Sequence, residues 1–164
     1  MKWAATVAEA GRLEDAFDEA AETLAAELDG TPADLLFAFA SGEYAGHFAR
    51  LLDGARAAFP RATLIGCSAG GVIGGPIEVE HRPALALAAA SLPGVRITPF
   101  HCGAADGAER VAAAAGGSGH LVLLPDPFSF RIEEVLRGLD AAGTGGAVVG
   151  GLASGAAFPG GNAL

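Results

Sequence analysis

The chain has very little basic charge. Its 164 residues contain ten lysines and arginines against nineteen aspartates and glutamates, so the formal net charge at pH 7 is −9. Nucleic acids and anionic membranes are recognised through basic patches, and this composition therefore disfavours both as partners. Lys2 is the single lysine. A Gly-Lys-Ser/Thr phosphate loop would need a second lysine within a Gly-rich segment, and its absence argues against a nucleotide triphosphatase.

Cysteines and long apolar runs are also scarce. Cys67 and Cys102 lie in different segments, and no two of the four histidines have metal-ligand spacing, so we predict neither a disulfide framework nor a metal site. The longest apolar run, Ala84–Leu92, is far shorter than the ~20 residues of a membrane-spanning helix. The apolar stretch within Met1–Glu9 is too short for a signal peptide. We therefore expect reduced thiols and a cytoplasmic location.

Apolar residues, in contrast, are abundant, and their pattern predicts a single α/β domain. They make up 51% of the chain, a content typical of a globular core. Strand-like apolar runs alternate with helical stripes, which predicts two β–α–β units about 85 residues apart. The predicted elements are a strand at Trp3–Ala8, a helix at Arg12–Leu28, a first unit of Leu35–Ala40, Tyr44–Phe59 (capped by Ser41) and Thr63–Gly66, and a second unit of Leu121–Leu124, Phe130–Ala141 and Ala147–Gly150.

The segment between the two units follows a different pattern. Ile77–Glu80 and Val95–Phe100 alternate, Pro83–Ala90 is small and apolar, and Leu92-Pro93-Gly94 has the composition of a turn. This pattern predicts an antiparallel hairpin. The expected fold class is therefore a mixed, largely parallel α/β sheet built from two β–α–β units with an inserted antiparallel hairpin.

Both β–α–β units end in loops of small residues. Gly66-Cys67-Ser68-Ala69-Gly70-Gly71 follows one strand, and Gly150-Gly151-Leu152-Ala153-Ser154-Gly155 follows the other. Backbone without side chains can be approached closely, and ligands of parallel sheets bind beyond the carboxyl ends of the strands. The alternative is that these residues only make tight turns. The candidate ligand-binding residues at the four strand ends are Ser41, Cys67, Ser68, Gly70, Gly71, Asp126, Phe128, Ser154 and Gly155.

Several of these residues allow a second interpretation. Gly66–Gly70 matches the G-x-S-x-G nucleophile elbow, which would make Ser68 or a low-pKa Cys67 the nucleophile of a hydrolase or transferase. The Gly-rich sequence that follows is a poor helix start, however, and an elbow needs a helix there. Asp126, between two prolines, could bind an amine or guanidinium, or could accept hydrogen bonds in a turn with Ser129 capping the next helix.

The chain resembles the N-terminal FIST domain at several of these positions. The similar stretches cover nearly the whole chain in the family's order: Ala62–Gly75, Pro83–Leu87, Ala90–Gly94, Asp126–Phe130, Val149–Gly155 and Gly160–Leu164. The resemblance implies a cytoplasmic, non-enzymatic sensory domain for signal transduction that binds a small ligand. An amino-acid-like metabolite is the expected ligand. Haem is the other expected small molecule, and one of His47, His81, His101 or His120 would coordinate its iron.

The resemblance also implies partners. A C-terminal FIST domain or a signalling partner protein would receive the signal. Since the family's domain normally continues beyond Leu164, we expect the chain to be incomplete at that end. An interaction scaffold without a small ligand remains the third interpretation, after the sensory domain and the hydrolase.

Overall fold

In the computed structural model the described residues are 1–103, 106, 108–115, 119–143 and 145–162. They form a mixed α/β fold with parallel and antiparallel strand pairs, which confirms the predicted fold class. The chain separates into two compact units: unit 1 is Met1–Pro99, Ser154–Ala156 and Gly161–Leu164, and unit 2 is Phe100–Ala153 and Ala157–Gly160. Among the helices of the described residues, none has the length and apolar character needed to cross a membrane.

Unit 1 is built around a four-stranded mixed sheet. In chain order its elements are β1 (Lys2–Ala8), α1 (Leu13–Leu28), β2 (Leu35–Ser41), α2 (Phe48–Ala58), β3 (Thr63–Ala69), β4 (Gly71–Gly74), β5 (Ile77–Glu80) and β6 (Leu85–Ser91). The strand order is β1-β6-β2-β3. β2 and β3 are parallel, whereas β6 runs antiparallel to both of its neighbours.

The helix α1 forms as its apolar periodicity predicts. Its stripe is fully buried against the sheet and consists of Leu13, Phe17, Ala20, Leu24 and Leu28. Asp29 caps the end of the helix: it adopts the left-handed conformation (φ 53°) and donates its N–H to the carbonyls of Ala25 and Ala26. The ammonium of Lys2 donates to the Leu28 carbonyl at 2.9 Å, which ties the start of β1 to this end of the helix.

The predicted helix over Tyr44–Phe59 is wrong in its first turn. Residues Gly42–Tyr44 form a 3-10 turn, Gly46 has a φ of 86°, and α2 begins at Phe48. Ser41 does not cap the helix: it is the last residue of β2, and its hydroxyl accepts the Ala84 N–H at 2.9 Å. The buried Tyr44 donates its hydroxyl to the Ala10 carbonyl at 2.6 Å, which holds the turn in place.

The inserted hairpin is present, but with different strands. β4 pairs with β5, whereas Val95–Phe100 forms no strand. β6 lies between β1 and β2, so both of its edges are already hydrogen-bonded and cannot accept a third strand. The predicted turn at Leu92–Gly94 is confirmed, since the Val95 N–H donates to the Leu92 carbonyl at 3.0 Å.

Unit 2 contains the second β–α–β unit. Its elements are α3 (Ala108–Ala115), β7 (Leu121–Leu123), α4 (Ile132–Ala142) and β8 (Val148–Gly150), and β7 and β8 are parallel. Its core consists of Val111, Leu121, Val135 and Leu139. The predicted helix starts two residues too early. Leu136, which lies one turn after Ile132 on the apolar side of the helix, is 42% exposed.

The two β–α–β units match in a detail of their strand pairs. Gly66 lies opposite Ala38 between β3 and β2, and Gly150 lies opposite Leu123 between β8 and β7. At both glycines an added Cβ would overlap the carbonyl oxygen of the residue opposite. The same glycine therefore makes the same close approach in both units, which agrees with the repeat seen in the sequence.

Candidate functional site

The carboxyl ends of β2 and β3 lie side by side in unit 1. Ser41 pairs in register with Ala69, and Ala40 pairs with Ser68. Because successive side chains of a strand point to opposite faces, Ser41 and Ser68 lie on opposite faces of the sheet. Both hydroxyls are buried and hydrogen-bonded, that of Ser41 to the Ala84 N–H. The structure therefore does not bring these two predicted residues to one site.

Ser68 and Gly70 meet a distant part of the chain. The N–H groups of Ser154 and Gly155 both donate to the Ser68 carbonyl, at 3.1 and 3.2 Å. In return, the Gly70 N–H donates to the Ser154 hydroxyl at 3.0 Å. Four of the predicted site residues are thus brought together at the end of β3.

Asn162 completes this group, and sequence reasoning did not select it. Its Oδ1 accepts the Ser68 hydroxyl at 2.9 Å and the Ala156 N–H at 2.8 Å, and its Nδ2 donates to the Ala156 carbonyl at 3.2 Å. Asn162 is the chain's single asparagine, which was the one available signal. We call Ser68, Gly70, Ser154, Gly155 and Asn162 the strand-end cluster.

The glycines of this region allow backbone to lie against backbone. A Cβ on Gly155 would stand 2.6 Å from the Ser68 Cβ, and a Cβ on Gly42 would stand 2.6 Å from the Gly155 carbonyl oxygen. Real carbon atoms do not come so close, so both positions require glycine. In the structure, the partner that makes the close approach is the chain's own segment Ser154–Ala156.

Cys67 and Gly71 face away from this cluster. Cys67 is buried opposite Phe39, and desolvation by burial raises the pKa of its thiol, the reverse of what a thiolate nucleophile needs. Gly71 starts β4, where an added Cβ would stand 3.0 Å from the Glu80 Cγ of β5.

The nucleophile elbow is contradicted by the local structure. Residues 66–69 lie within β3, and the strand β4 follows where an elbow requires a helix. Ser68 is 2% exposed, and its hydroxyl donates to Asn162. The arrangement therefore offers no exposed, activated Ser68 for nucleophilic attack.

Asp126 and Phe128 belong to unit 2. The Asp126 carboxylate accepts the Phe128 N–H at 3.1 Å, the Ser129 hydroxyl at 2.6 Å and the Gly160 N–H at 3.2 Å. This is the turn-acceptor role that sequence left open. Ser129 does not cap α4, since Arg131 occupies the N-cap position. Phe128 is 47% exposed.

Haem does not fit the described side chains. All four histidines are exposed, and a haem site needs an axial ligand inside an apolar pocket. The open cavities of unit 1 include one of about 350 Å³ near Pro32 and Phe59 and one of about 250 Å³ between α1 and α2. Their described linings contain no histidine and no predicted site residue. Within the described part of the chain, no three His, Cys, Asp or Glu side chains converge as a metal would require.

Comparison with known proteins gives one family and two relatives. A family model described as the FIST N domain matches residues 34–163. Uncharacterized protein MT0656 and Uncharacterized protein Rv0628c, from Mycobacterium tuberculosis strains CDC 1551 / Oshkosh and ATCC 25618 / H37Rv, are each 33% identical to the chain over 140 residues. The match covers 77% of this chain and 33% of each relative, so the chain spans about a third of their length. No solved structure matches the chain.

Proposed function

The chain belongs to the FIST N domain family, and from this premise we propose that it is a non-enzymatic sensory domain that binds a small amino-acid-like metabolite for signal transduction. The proposed site is the strand-end cluster of unit 1. A C-terminal FIST domain or a signalling partner protein would receive the signal. Both relatives are themselves uncharacterized, so the support comes from the family and from the groups of the cluster.

The hydrogen-bonding groups of the cluster fit the two ends of an amino acid. The Ser68 carbonyl accepts two N–H groups, and the Gly70 N–H donates to an oxygen. An α-amino acid carries an ammonium with three donors and a carboxylate that only accepts, so it offers a donor to the Ser68 carbonyl and an acceptor to the Gly70 N–H. This match between the backbone groups at the end of β3 and the ligand's chemistry is the observation on which the proposal depends.

The Ser68 hydroxyl and the Asn162 amide would add specificity beside these backbone groups. They lie next to each other, with the hydroxyl donating to Oδ1 at 2.9 Å. Sites of this kind combine backbone groups with a few placed side chains that fix the ligand's orientation. Ser68 and Asn162 are therefore the side chains that we expect to distinguish one amino acid from another.

Ligand-dependent stability tests the proposal. We would measure the melting temperature of the chain with each of the twenty amino acids, with small metabolites and with haem, and confirm any effect by calorimetric titration. A ligand at one hundred times its Kd adds about 2.7 kcal/mol to the free energy of unfolding, which the assay detects. If no compound stabilises the chain, the scaffold interpretation replaces the sensory one.

A serine variant and a matched threonine control test where the ligand binds. Ser68→Ala removes a hydroxyl of the cluster, and we expect it to weaken binding about fivefold, the effect of one hydrogen bond of about 1 kcal/mol. Thr23→Ala removes a hydroxyl on α1 that bonds to the Glu19 carbonyl, and it should leave the affinity unchanged. Asp126→Ala tests the other predicted location. If Asp126→Ala abolishes ligand binding while Ser68→Ala keeps the native affinity, the site lies in unit 2.

A further inference from the structure

The chain's own segment occupies the groups that a ligand would use. We propose that Ser154-Gly155 is a built-in competitor of the ligand and that Asn162 is the latch that holds this competitor in place. The inference rests on the proposed function for the identity of the ligand. The latch itself is defined by contacts within unit 1.

The segment reproduces the donors and the acceptor expected of the ligand. The two backbone N–H groups of Ser154 and Gly155 satisfy the Ser68 carbonyl, as an ammonium would. The Ser154 hydroxyl accepts the Gly70 N–H, as a carboxylate would. A ligand can therefore bind these groups only after the segment has left them.

The segment is held by polar contacts and by very little apolar burial. Ser154 is exposed, and Gly155 and Ala156 are half-buried. None of the three has a large side chain to anchor it in the core. Hydrogen bonds contribute little net free energy when a partner of equal quality replaces them. The segment can therefore exchange with a ligand at a small cost, which buried leucines would not allow.

Asn162 fixes the segment from its far end. Its amide bonds to both backbone groups of Ala156 and, at the same time, to the Ser68 hydroxyl on β3. One side chain therefore ties Ala156 to β3, beside the backbone bonds of Ser154 and Gly155. Gly155 lies between Ser154 and this anchor, at a point where a Cβ would collide with Ser68.

Amide hydrogen exchange measured by NMR tests the latch without any ligand. The N–H groups of Ser154, Gly155 and Gly70 are hydrogen-bonded and should exchange slowly. In Asn162→Ala, we expect exchange at Ser154 and Gly155 to rise at least fivefold, while amides inside β2 are unchanged. Asn162→Asp keeps the oxygen that accepts from Ser68 and Ala156, so it should give a smaller rise. Unchanged exchange in Asn162→Ala would overturn the latch.

The same amides test the competition once an amino acid is found to bind. Displacement predicts that this ligand accelerates exchange at Ser154 and Gly155 and keeps Gly70 protected. Slower exchange at all three amides would overturn the competitor and leave the sensory function standing. If no amino acid binds either protein, the sensory function and the competitor both fail, while the exchange of the ligand-free variant still decides the latch.

Discussion

Glycine permits two kinds of close backbone approach in this chain. At Gly66 and Gly150 the missing side chain lets two parallel strands pair, because a Cβ would overlap the carbonyl oxygen opposite. At Gly42 and Gly155 it lets the segment Ser154–Ala156 lie on the end of β3. In the sequence, each of these glycines follows an apolar run or lies in the small-residue segment after one. Sequence alone therefore predicts close approach at these positions, but not which partner makes it.

Gly66→Ala should be strongly destabilising. Its Cβ would overlap backbone in the neighbouring strand, which cannot rotate away as a side chain could, so we expect a loss of about 3 kcal/mol or more in the free energy of unfolding. The matched control is Gly11→Ala, since no atom lies within 4 Å of a Cβ at that position. Urea unfolding of both variants measures the difference, and equal midpoints would contradict the prediction.

The buried thiol of Cys67 should make stability depend on pH in the alkaline range. Burial raises its pKa, so the folded chain favours the neutral thiol. This contribution is complete below the ordinary thiol pKa of about 8.5 and is lost as the pH rises through the raised pKa of the folded chain. Urea unfolding at pH 7, 8.5 and 10 should show a steeper loss for the native chain than for Cys67→Ala. Parallel curves would show that the thiol does not contribute.

At the scale of elements, helices with a continuous apolar stripe are the most predictable. α1 begins and ends within one residue of its predicted bounds because its stripe runs unbroken from Leu13 to Leu28. The start of α2 is not predictable in this way, since the tie from Tyr44 to the Ala10 carbonyl joins residues far apart in sequence. Val95–Phe100 has a strand-like pattern, but whether a partner edge is free depends on strand order.

Two adjacent leucines of α2 differ in burial, although their periodicity predicts that both are buried. Leu51 is 1% exposed and Leu52 is 44% exposed. We expect Leu51→Ala to lower the free energy of unfolding by about 3 kcal/mol, within the usual range for a buried leucine, and Leu52→Ala by less than ~1 kcal/mol. Urea unfolding of the two variants is the measurement. Similar losses would mean that the register of α2 is wrong.

At the scale of the whole chain, the fold class and the family could be predicted, together with four of the five residues of the strand-end cluster. The paired loops at Gly66–Gly71 and Gly150–Gly155 pointed to the end of β3, and four of the predicted residues meet there. Asn162 could not be found, because its bond to Ser68 spans 94 residues and follows no periodic pattern. The separation of Ser41 from Ser68 depends on strand register, which sequence does not fix.

The net charge of −9 should make the chain more stable in moderate salt. Like charges repel one another in the folded state, and raising the ionic strength from 0.01 to 0.15 M shortens the screening length from about 30 to about 8 Å. Exposed ion pairs such as Arg82–Glu9 are also screened, but pairs of this kind contribute little. We expect the melting temperature to rise by a few degrees in both sodium chloride and choline chloride. A fall in both salts would show that attractive pairs dominate.

The tie between Lys2 and the Leu28 carbonyl has a practical consequence for surface-based binding assays. Lys2 carries the single side-chain amine of the chain, and it lies at the start of β1. β1 runs parallel to β2 and β3, so this amine is at the end of the sheet opposite the strand-end cluster. Coupling through the Lys2 amine would therefore attach the chain at the end of the sheet away from the proposed ligand site.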